Sequence, residues 1–436
     1  MTKRTTLSRR AALCALVLAA PAAQAQLRID ITSGVTDPIP IAVVKFAVDP
    51  ASAAPFDFAE VIQQDLGRSG RFRLLPRERM PASPSRSDAV VAGEWRGLGT
   101  DYVLVGRSSP AAAGQSVVDF ELLNVLNGQR LLAERITVPA PTARTGAHRI
   151  ADRVYEKILG VRGAFATRIA YVSVDGTPPS QRYQLIVADA DGDGARVILE
   201  SRQPLMSPAW SPDGEWLAYV SFEARASAIY VQRLRSGERR RVSARRGING
   251  APAWSPDGSK LALTLSGSGG NLDLYLLDLA TQSLTRLTED PAIDTEPTWA
   301  PDGAAIYFTS DRSGGPQVYR MATAAGDRPR RITFTGSYNA RPRISPDGTQ
   351  LAFVSLEGDG YKVAIQDLAN GTNRVLSKGR FDESPGFAPN GALLIYAGRE
   401  GGQGVLATVS SDGLITQRLK SDRGEVREPA WGPFLR

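Results

Sequence analysis

Short runs that alternate apolar and small or polar residues recur through the second half of the chain. They are Leu217-Ala-Tyr-Val-Ser221, Leu261-Ala-Leu-Thr-Leu265, Ile306-Tyr-Phe-Thr-Ser310, Leu351-Ala-Phe-Val-Ser355 and Leu394-Ile-Tyr-Ala-Gly398. A two-residue period predicts strands, and one turn precedes every run. The copies read Pro208-Ala-Trp210-Ser-Pro-Asp-Gly214, Pro252-Ala-Trp254-Ser-Pro-Asp-Gly258, Pro297-Thr-Trp299-Ala-Pro-Asp-Gly303, Pro342-Arg-Ile344-Ser-Pro-Asp-Gly348 and the decayed Pro385-Gly-Phe387-Ala-Pro-Asn-Gly391. Pro429-Ala-Trp431-Gly-Pro433 is a sixth half-copy. Serine suits the first position of a type I turn, proline sets φ at the second, and glycine at the fourth takes the positive φ that closes a bulged hairpin. The second prolines lie 44, 45, 45, 43 and 44 residues apart. A regular period of that size, filled with short strands, predicts a β-propeller with one four-stranded blade per repeat.

A sixth run, Ile169-Ala-Tyr-Val-Ser173, has no such turn before it, and the sixth half-copy has no strand after it. The strand around Trp431 should therefore pair with residues 169–173 and close a six-bladed ring, leaving no open blade edge. Third strands are expected at 184–188, 228–232, 273–278, 317–321, 362–367 and 404–409, with fourth strands such as 196–199, 284–287 and 331–334. Trp210, Trp254, Trp299 and Trp431 recur at one place in the repeat. That regularity favours blade packing over a ligand-stacking ring.

Residues 26–160 lack the repeat and read as an α/β domain, with 161–436 forming the all-β propeller. Residues 41–46 form a buried-type strand, and 56–69 have helical spacing through Phe58, Val61, Ile62 and Leu66, stopping at Gly67 and Gly70. Residues 72–75, 102–105, 117–123 and 131–138 read as strands. Residues 144–159 read as an amphipathic helix with Ile150, Val154 and Ile158 on one face. Gly160 and Gly163 mark the join between the domains.

Composition changes the picture mainly by exclusion. The 436 residues include one His and one Cys, so no Cys/His zinc cluster or Cys–His nucleophile pair can be assembled. Residues 1–25 read as a cleaved signal peptide: Lys3, Arg4, Arg9 and Arg10, then an apolar stretch, then Ala23-Gln24-Ala25. Ser8-Arg9-Arg10 hints at twin-arginine export, although the aromatic that usually follows is Ala12; ordinary secretion is the simpler reading. Cleavage removes the only cysteine, Cys14. It also removes four of the 52 basic residues, leaving 48 against 45 acidic, a net charge of +3. The arginine clusters 239–241 with 245–246, and 328 with 330–331, read as solvated strand ends, without the interleaved aromatics of a nucleic-acid groove.

Other chemical motifs weaken on inspection. Asp189-Ala-Asp191-Gly-Asp193-Gly194 with Glu200 twelfth matches a calcium loop, yet strands flank it where an EF-hand has helices, so a polar hairpin turn is expected. His148 has no evident Ser or Cys partner and reads as a capping or packing residue. A propeller-type enzyme acting on envelope material is the alternative to a binding protein. A carbohydrate lyase would want channel histidines, and residues 161–436 contain none. A peptidase relative would need a Gly-x-Ser-x-Gly elbow, which Ser266-Gly-Ser-Gly-Gly270 is not.

Several segments together resemble the TolB family of periplasmic Tol–Pal proteins. They are Ile41-Ala-Val-Val44, Asp65-Leu-Gly-Arg-Ser-Gly70 with Phe72, Lys157-Ile-Leu-Gly-Val-Arg-Gly-Ala-Phe165 running into Thr167-Arg-Ile-Ala-Tyr-Val172, and Gln203-Pro-Leu-Met-Ser-Pro-Ala-Trp210. The resemblance implies a periplasmic, non-enzymatic adaptor, expected to be a monomer, with no catalytic residue, no nucleic-acid partner and membrane contact only through its partners. It implies binding of the lipoprotein Pal at the mouth of the propeller channel and of TolA through the mature N-terminus. It also implies support of outer-membrane integrity and of constriction during cell division. The TolA segment would be Gln26, Leu27, Arg28, Ile29, Asp30, Ile31, Thr32, Ser33 and Gly34. Residues just before each innermost strand should rim one channel end. The expected Pal-binding set is Met206, Asn249, Ala251, Asp294, Thr295, Glu296, Tyr338, Asn339, Arg341, Asp382, Glu383 and Arg427. No cofactor or dedicated metal site is expected, although rim carboxylates suit a weakly bound calcium ion in the channel. A scaffold without partner exchange would read the same in sequence. Ile344, Asn390 and the His-free stretch 245–251 depart from the family pattern.

Overall fold

The computed structural model describes residues 27–51, 56–267, 269–324, 326–421 and 424–435. The signal segment and Gln26 lie outside them, as does residue 268 in the Gly/Ser loop. The chain forms an α/β domain followed by a six-bladed propeller.

The first strand, β1 (Leu27–Ser33), belongs to neither the α/β sheet nor a free tail. It pairs antiparallel with Thr416–Ser421 and becomes the fifth strand of blade six. Leu27 is buried with Ile169, Tyr171, Leu406 and Leu419, and sits so close over Gly192 that a Cβ there would lie 2.5 Å from its own. The segment expected at the head of the N-terminal domain is therefore docked on the propeller.

The α/β sheet orders β4 (Phe72–Leu74), β2 (Ile39–Val43), β5 (Tyr102–Pro110), β6 (Gln115–Asn124) and β7 (Gln129–Pro139), with the short β3 (Ala47–Val48) beside β5. Strand β2 runs parallel to β4 and β5, and β5, β6 and β7 form an antiparallel meander. Helices α1 (Phe58–Arg68) and α3 (Ala143–Leu159) cover one face, burying Ile62, Leu66, Ile150 and Val154 against Ile41, Leu104 and Phe120. Asp57 caps α1 by accepting the Glu60 N–H at 3.0 Å, and Gly160, in the left-handed region at φ 78°, ends α3. The other sheet face is closed by α2 (Ala92–Gly97), whose Trp95 packs on Ala42, Val44 and Val103. A helix this short carries too little periodicity to be read from sequence.

Each blade is an antiparallel sheet of four strands, to which β1 adds a fifth in blade six, and the turns are built as the motif requires. In blade two, Gly214 N–H donates to the Ser211 carbonyl at 2.9 Å, and the Ser211 hydroxyl accepts the Trp216 N–H at 2.9 Å. Gly214 sits at φ 70°. Blade one is the composite one: Glu425–Trp431 pairs with Arg168–Asp175 in the register Arg427↔Val172 and Trp431↔Ile169. The chain end thus closes the ring as expected.

Candidate partner-binding site at the channel mouth

The innermost strands of blades two to six and the closing strand surround the axis: Leu205–Trp210, Asn249–Trp254, Asp294–Trp299, Asn339–Ile344, Glu383–Phe387 and Glu425–Trp431. Each carries a bulge just before its proline. The residue preceding that proline adopts positive φ in all six: Ser207 50°, Ala251 46°, Glu296 55°, Arg341 56°, Ser384 54° and Glu428 53°. None is glycine, so each stores backbone strain, and pre-proline residues avoid helical conformations as well. All six border one axial cavity of about 340 Å³. The repeat thus holds a ring of side chains at the channel in a conformation that a plain strand would not give.

Below the rim, three tryptophans join neighbouring blades, and Trp431 ties the closing strand to the chain entering its own blade. Indole N–H groups donate from Trp210 to the Ala430 carbonyl (3.1 Å), from Trp254 to Ala209 (3.1 Å), from Trp299 to Ala253 (3.0 Å) and from Trp431 to the Thr167 hydroxyl (2.8 Å). Ile344 and Phe387 stand at the same repeat position without an N–H to give.

Charge at the channel centres on Arg341. Its guanidinium lies 3.0 Å from Glu296, 3.6 Å from Glu383 and 3.7 Å from Glu428, and it also bonds the Ser384 hydroxyl. Burial alone would lower the Arg341 pKa; Glu428, Glu296 and Glu383 outweigh it and raise the pKa above its ordinary value. Arg341 thus places a positive side chain among the channel carboxylates.

The predicted rim residues divide into two groups. Asn249, Asp294, Asn339 and Asp382 are buried and shape loops from within. Asn249 accepts the Arg245 N–H at 2.9 Å, Asp294 holds Arg312 through both oxygens at 2.7 and 2.8 Å, and Asn339 donates to Gln317 at 2.8 Å. Asp382 accepts the Gly379 N–H at 2.7 Å. By contrast, Met206 and Glu383 are exposed, and Ala251, Thr295, Glu296, Tyr338, Arg341 and Arg427 are partly so. Tyr338, Arg341, Glu383 and Arg427 border a second cavity of about 550 Å³ that also draws in Tyr361 and Phe381. The sequence reading missed Ile248, Ile293 and Phe381, which are 49%, 45% and 55% exposed and occupy the position before Asn249, Asp294 and Asp382. With Tyr338 they recur at one place in the repeat, the signal that could have found them. The mouth is thus an apolar and aromatic ring around a charged centre, the composition of a protein-binding surface.

Two further readings meet the structure away from the mouth. The arginine cluster of blade two does rest on aromatics: Arg239 lies 3.8 Å over the Tyr230 ring and Arg240 4.7 Å over Trp216. Those rings come from neighbouring strands, which is why the linear sequence shows no interleaving. The calcium-like stretch is a hairpin turn between Arg182–Asp189 and Arg196–Ser201. Its Glu200 pairs with Arg182 (3.4 Å) and Gln184 (3.0 Å), while Asp189, Asp191 and Asp193 face α1 and α3. There Asp65, His148 and Asp191 place three ligand-capable atoms within 4.8 Å of one another, a cluster able to coordinate a cation. It lies at the seam between the domains, away from the channel where a cation was expected.

Comparison with known proteins agrees with this architecture. Residues 27–131 match the TolB amino-terminal domain and residues 155–435 the TolB beta propeller domain. The chain is 51% identical over 418 residues to the Tol-Pal system protein TolB of Thioalkalivibrio sulfidiphilus, covering 95% of each chain. It is 52% identical over 418 residues to that of Methylococcus capsulatus, covering 96% of this chain and 97% of the relative. The crystal structure of TolB from Acinetobacter baumannii superposes with a TM-score of 0.86 at 41% identity, across 94% of this chain and 100% of that one.

Proposed function

The chain belongs to the TolB family of periplasmic Tol–Pal adaptors, and on that premise we propose that it binds the lipoprotein Pal at the channel mouth and TolA through its mature N-terminus. The observation that carries the Pal reading is the strained rim, which fixes Glu296, Arg341 and Glu428 at the axis inside a ring of exposed Ile248, Ile293 and Phe381 and half-buried Tyr338. Rigid, preset side chains lose little entropy on association, and exposed aromatics supply the area. Thr295, Met206, Ala251, Glu383 and Arg427 complete the contact surface, and the buried Asn249, Asp294, Asn339 and Asp382 act by holding the loops. Calorimetric titration of residues 26–436 with Pal from the same organism tests this. Thr295→Arg places a long cation among the rim groups and is expected to weaken one-to-one binding at least tenfold with an unchanged circular dichroism spectrum. Unchanged affinity would remove the mouth as the Pal surface.

The TolA reading rests on β1. Among the described residues, 27–33 pair along one edge, as the outermost strand of blade six. Such a strand can extend a sheet with a partner or be drawn off to pair elsewhere. Deleting residues 26–34 is expected to abolish TolA binding while Pal binding persists. TolA binding that survives the deletion would move its site elsewhere.

A further inference from the structure

The seam between α3 and the blade-one hairpin carries a constellation that the adaptor reading does not use. His148 is 1% exposed, and its Nδ1 lies 2.6 Å from Asp65 Oδ2. The opposite ring nitrogen, Nε2, is buried, has no hydrogen-bond partner, and faces Asp191 Oδ2 at 3.7 Å and Asp189 Oδ2 at 4.0 Å. Two atoms that each bind one ion at about 2 Å are at most roughly 4 Å apart, so the gap between Nε2 and Asp191 admits a shared ion, and Asp191 is the carboxylate that clusters with His148 and Asp65 within 4.8 Å. Asp65 behind the ring is the carboxylate that fixes the tautomer of a metal-binding histidine, with the proton on Nδ1 and the lone pair on Nε2.

The charge count agrees. Asp65, Asp189, Asp191 and Asp193 meet two guanidiniums, Arg68 (2.7 Å from Asp65, 3.3 Å from Asp191) and Arg144 (2.8 Å from Asp193 and bonded to Asp191). With a neutral imidazole the four carboxylates exceed the two guanidiniums by two charges, one of them offset by Arg168 beside Asp189, so the seam stays negative. The existing pairs are close but badly aligned: Asp65 Oδ1, Arg68 Nη1 and Arg144 Nε are buried without a properly oriented hydrogen bond. Such a concentration of unsatisfied polar atoms calls for an ion or water. Asp189 and Asp193, about a quarter and two-fifths exposed, leave an entry from solvent.

We propose that this seam is a divalent transition-metal site of the zinc class, with His148 Nε2 and Asp191 as its protein ligands and Asp65 as the orienting carboxylate. The ion would tie α3 of the first domain to blade one. Arg144 competes for Asp191 and keeps Asp193 when the ion enters.

The test is calorimetric titration of metal-free residues 26–436 with zinc and, separately, calcium. One equivalent of zinc is expected. His148→Gln and Asp191→Asn should each weaken it at least tenfold, Arg144→Gln should tighten it several-fold, and Glu200→Gln should leave it unchanged. Cobalt substitution of the unmutated protein gives a reading free of folding effects, since visible absorption bands report an imidazole–carboxylate site directly. Absence of zinc binding overturns the proposal. So do binding insensitive to His148→Gln, and calcium binding lost in Glu200→Gln, which would restore the loop alone as the site.

Discussion

Asp152 shows what one buried carboxylate does to this domain. It is 2% exposed and accepts the Phe165 N–H at 2.7 Å and the Ala166 N–H at 3.2 Å, fastening α3 to the chain that leads into blade one. Burial outweighs those bonds and raises its pKa to about 6. A carboxyl that holds its proton more tightly when folded favours the folded state below its unfolded pKa, and that contribution is lost as pH rises through about 6. Denaturant stability is therefore expected to fall between about pH 4 and pH 7, by up to about 3 kcal/mol from this group. Asp152→Asn cannot ionise and should flatten the slope, whatever its own cost; equal slopes in both proteins would assign the pH dependence elsewhere. Nothing in the sequence around residue 152 signalled this. The same holds at the rim, where Ser207, Ala251, Glu296, Arg341, Ser384 and Glu428 take positive φ. Sequence reading looks for glycine at such positions, and here the bulge and the following proline impose the conformation instead.

At the scale of elements the turns were legible because Ser-Pro-Asp-Gly states its own geometry, and the strands because their runs repeat. Reading the tryptophans as packing residues was right in kind, but the indole bonds that cross from blade to blade depend on neighbours about 45 residues away and could not be seen locally. Trp299→Phe keeps the ring and removes only the N–H given to Ala253. It should cost about 1 kcal/mol in chemical denaturation. The reference is internal: Ile344→Leu, at a position with no indole to lose, should cost less. A Trp299→Phe protein as stable as its parent would reduce the indole bond to coincidence. Strand β1 escaped assignment for a related reason. Its alternation is that of a strand, but its partner, Thr416–Ser421, lies almost at the other end of the chain.

For the whole molecule, the ring is closed by non-covalent pairing alone. The innermost strand of blade one is Glu425–Trp431, and its removal would expose the Arg168–Asp175 edge together with Ile169 and Tyr171, both fully buried. Trp210 would lose its carbonyl acceptor at Ala430, and Ser207 the Glu428 carboxylate that accepts its N–H at 3.2 Å. Both losses fall on blade two, so the damage should spread around the ring and not stay in one blade. Nor would it stay in the propeller: blade one also faces α3 through Asp189, Asp191 and Asp193. A chain ending at residue 424 is accordingly expected to unfold at a markedly lower temperature and less cooperatively, and to bind a dye that reports exposed apolar surface. A separate peptide of residues 425–436 should restore part of the loss, because it supplies the same register without a covalent link. If truncation left the midpoint unchanged, closure by the last strand would be incidental, and the six blades would have to be held by their mutual packing.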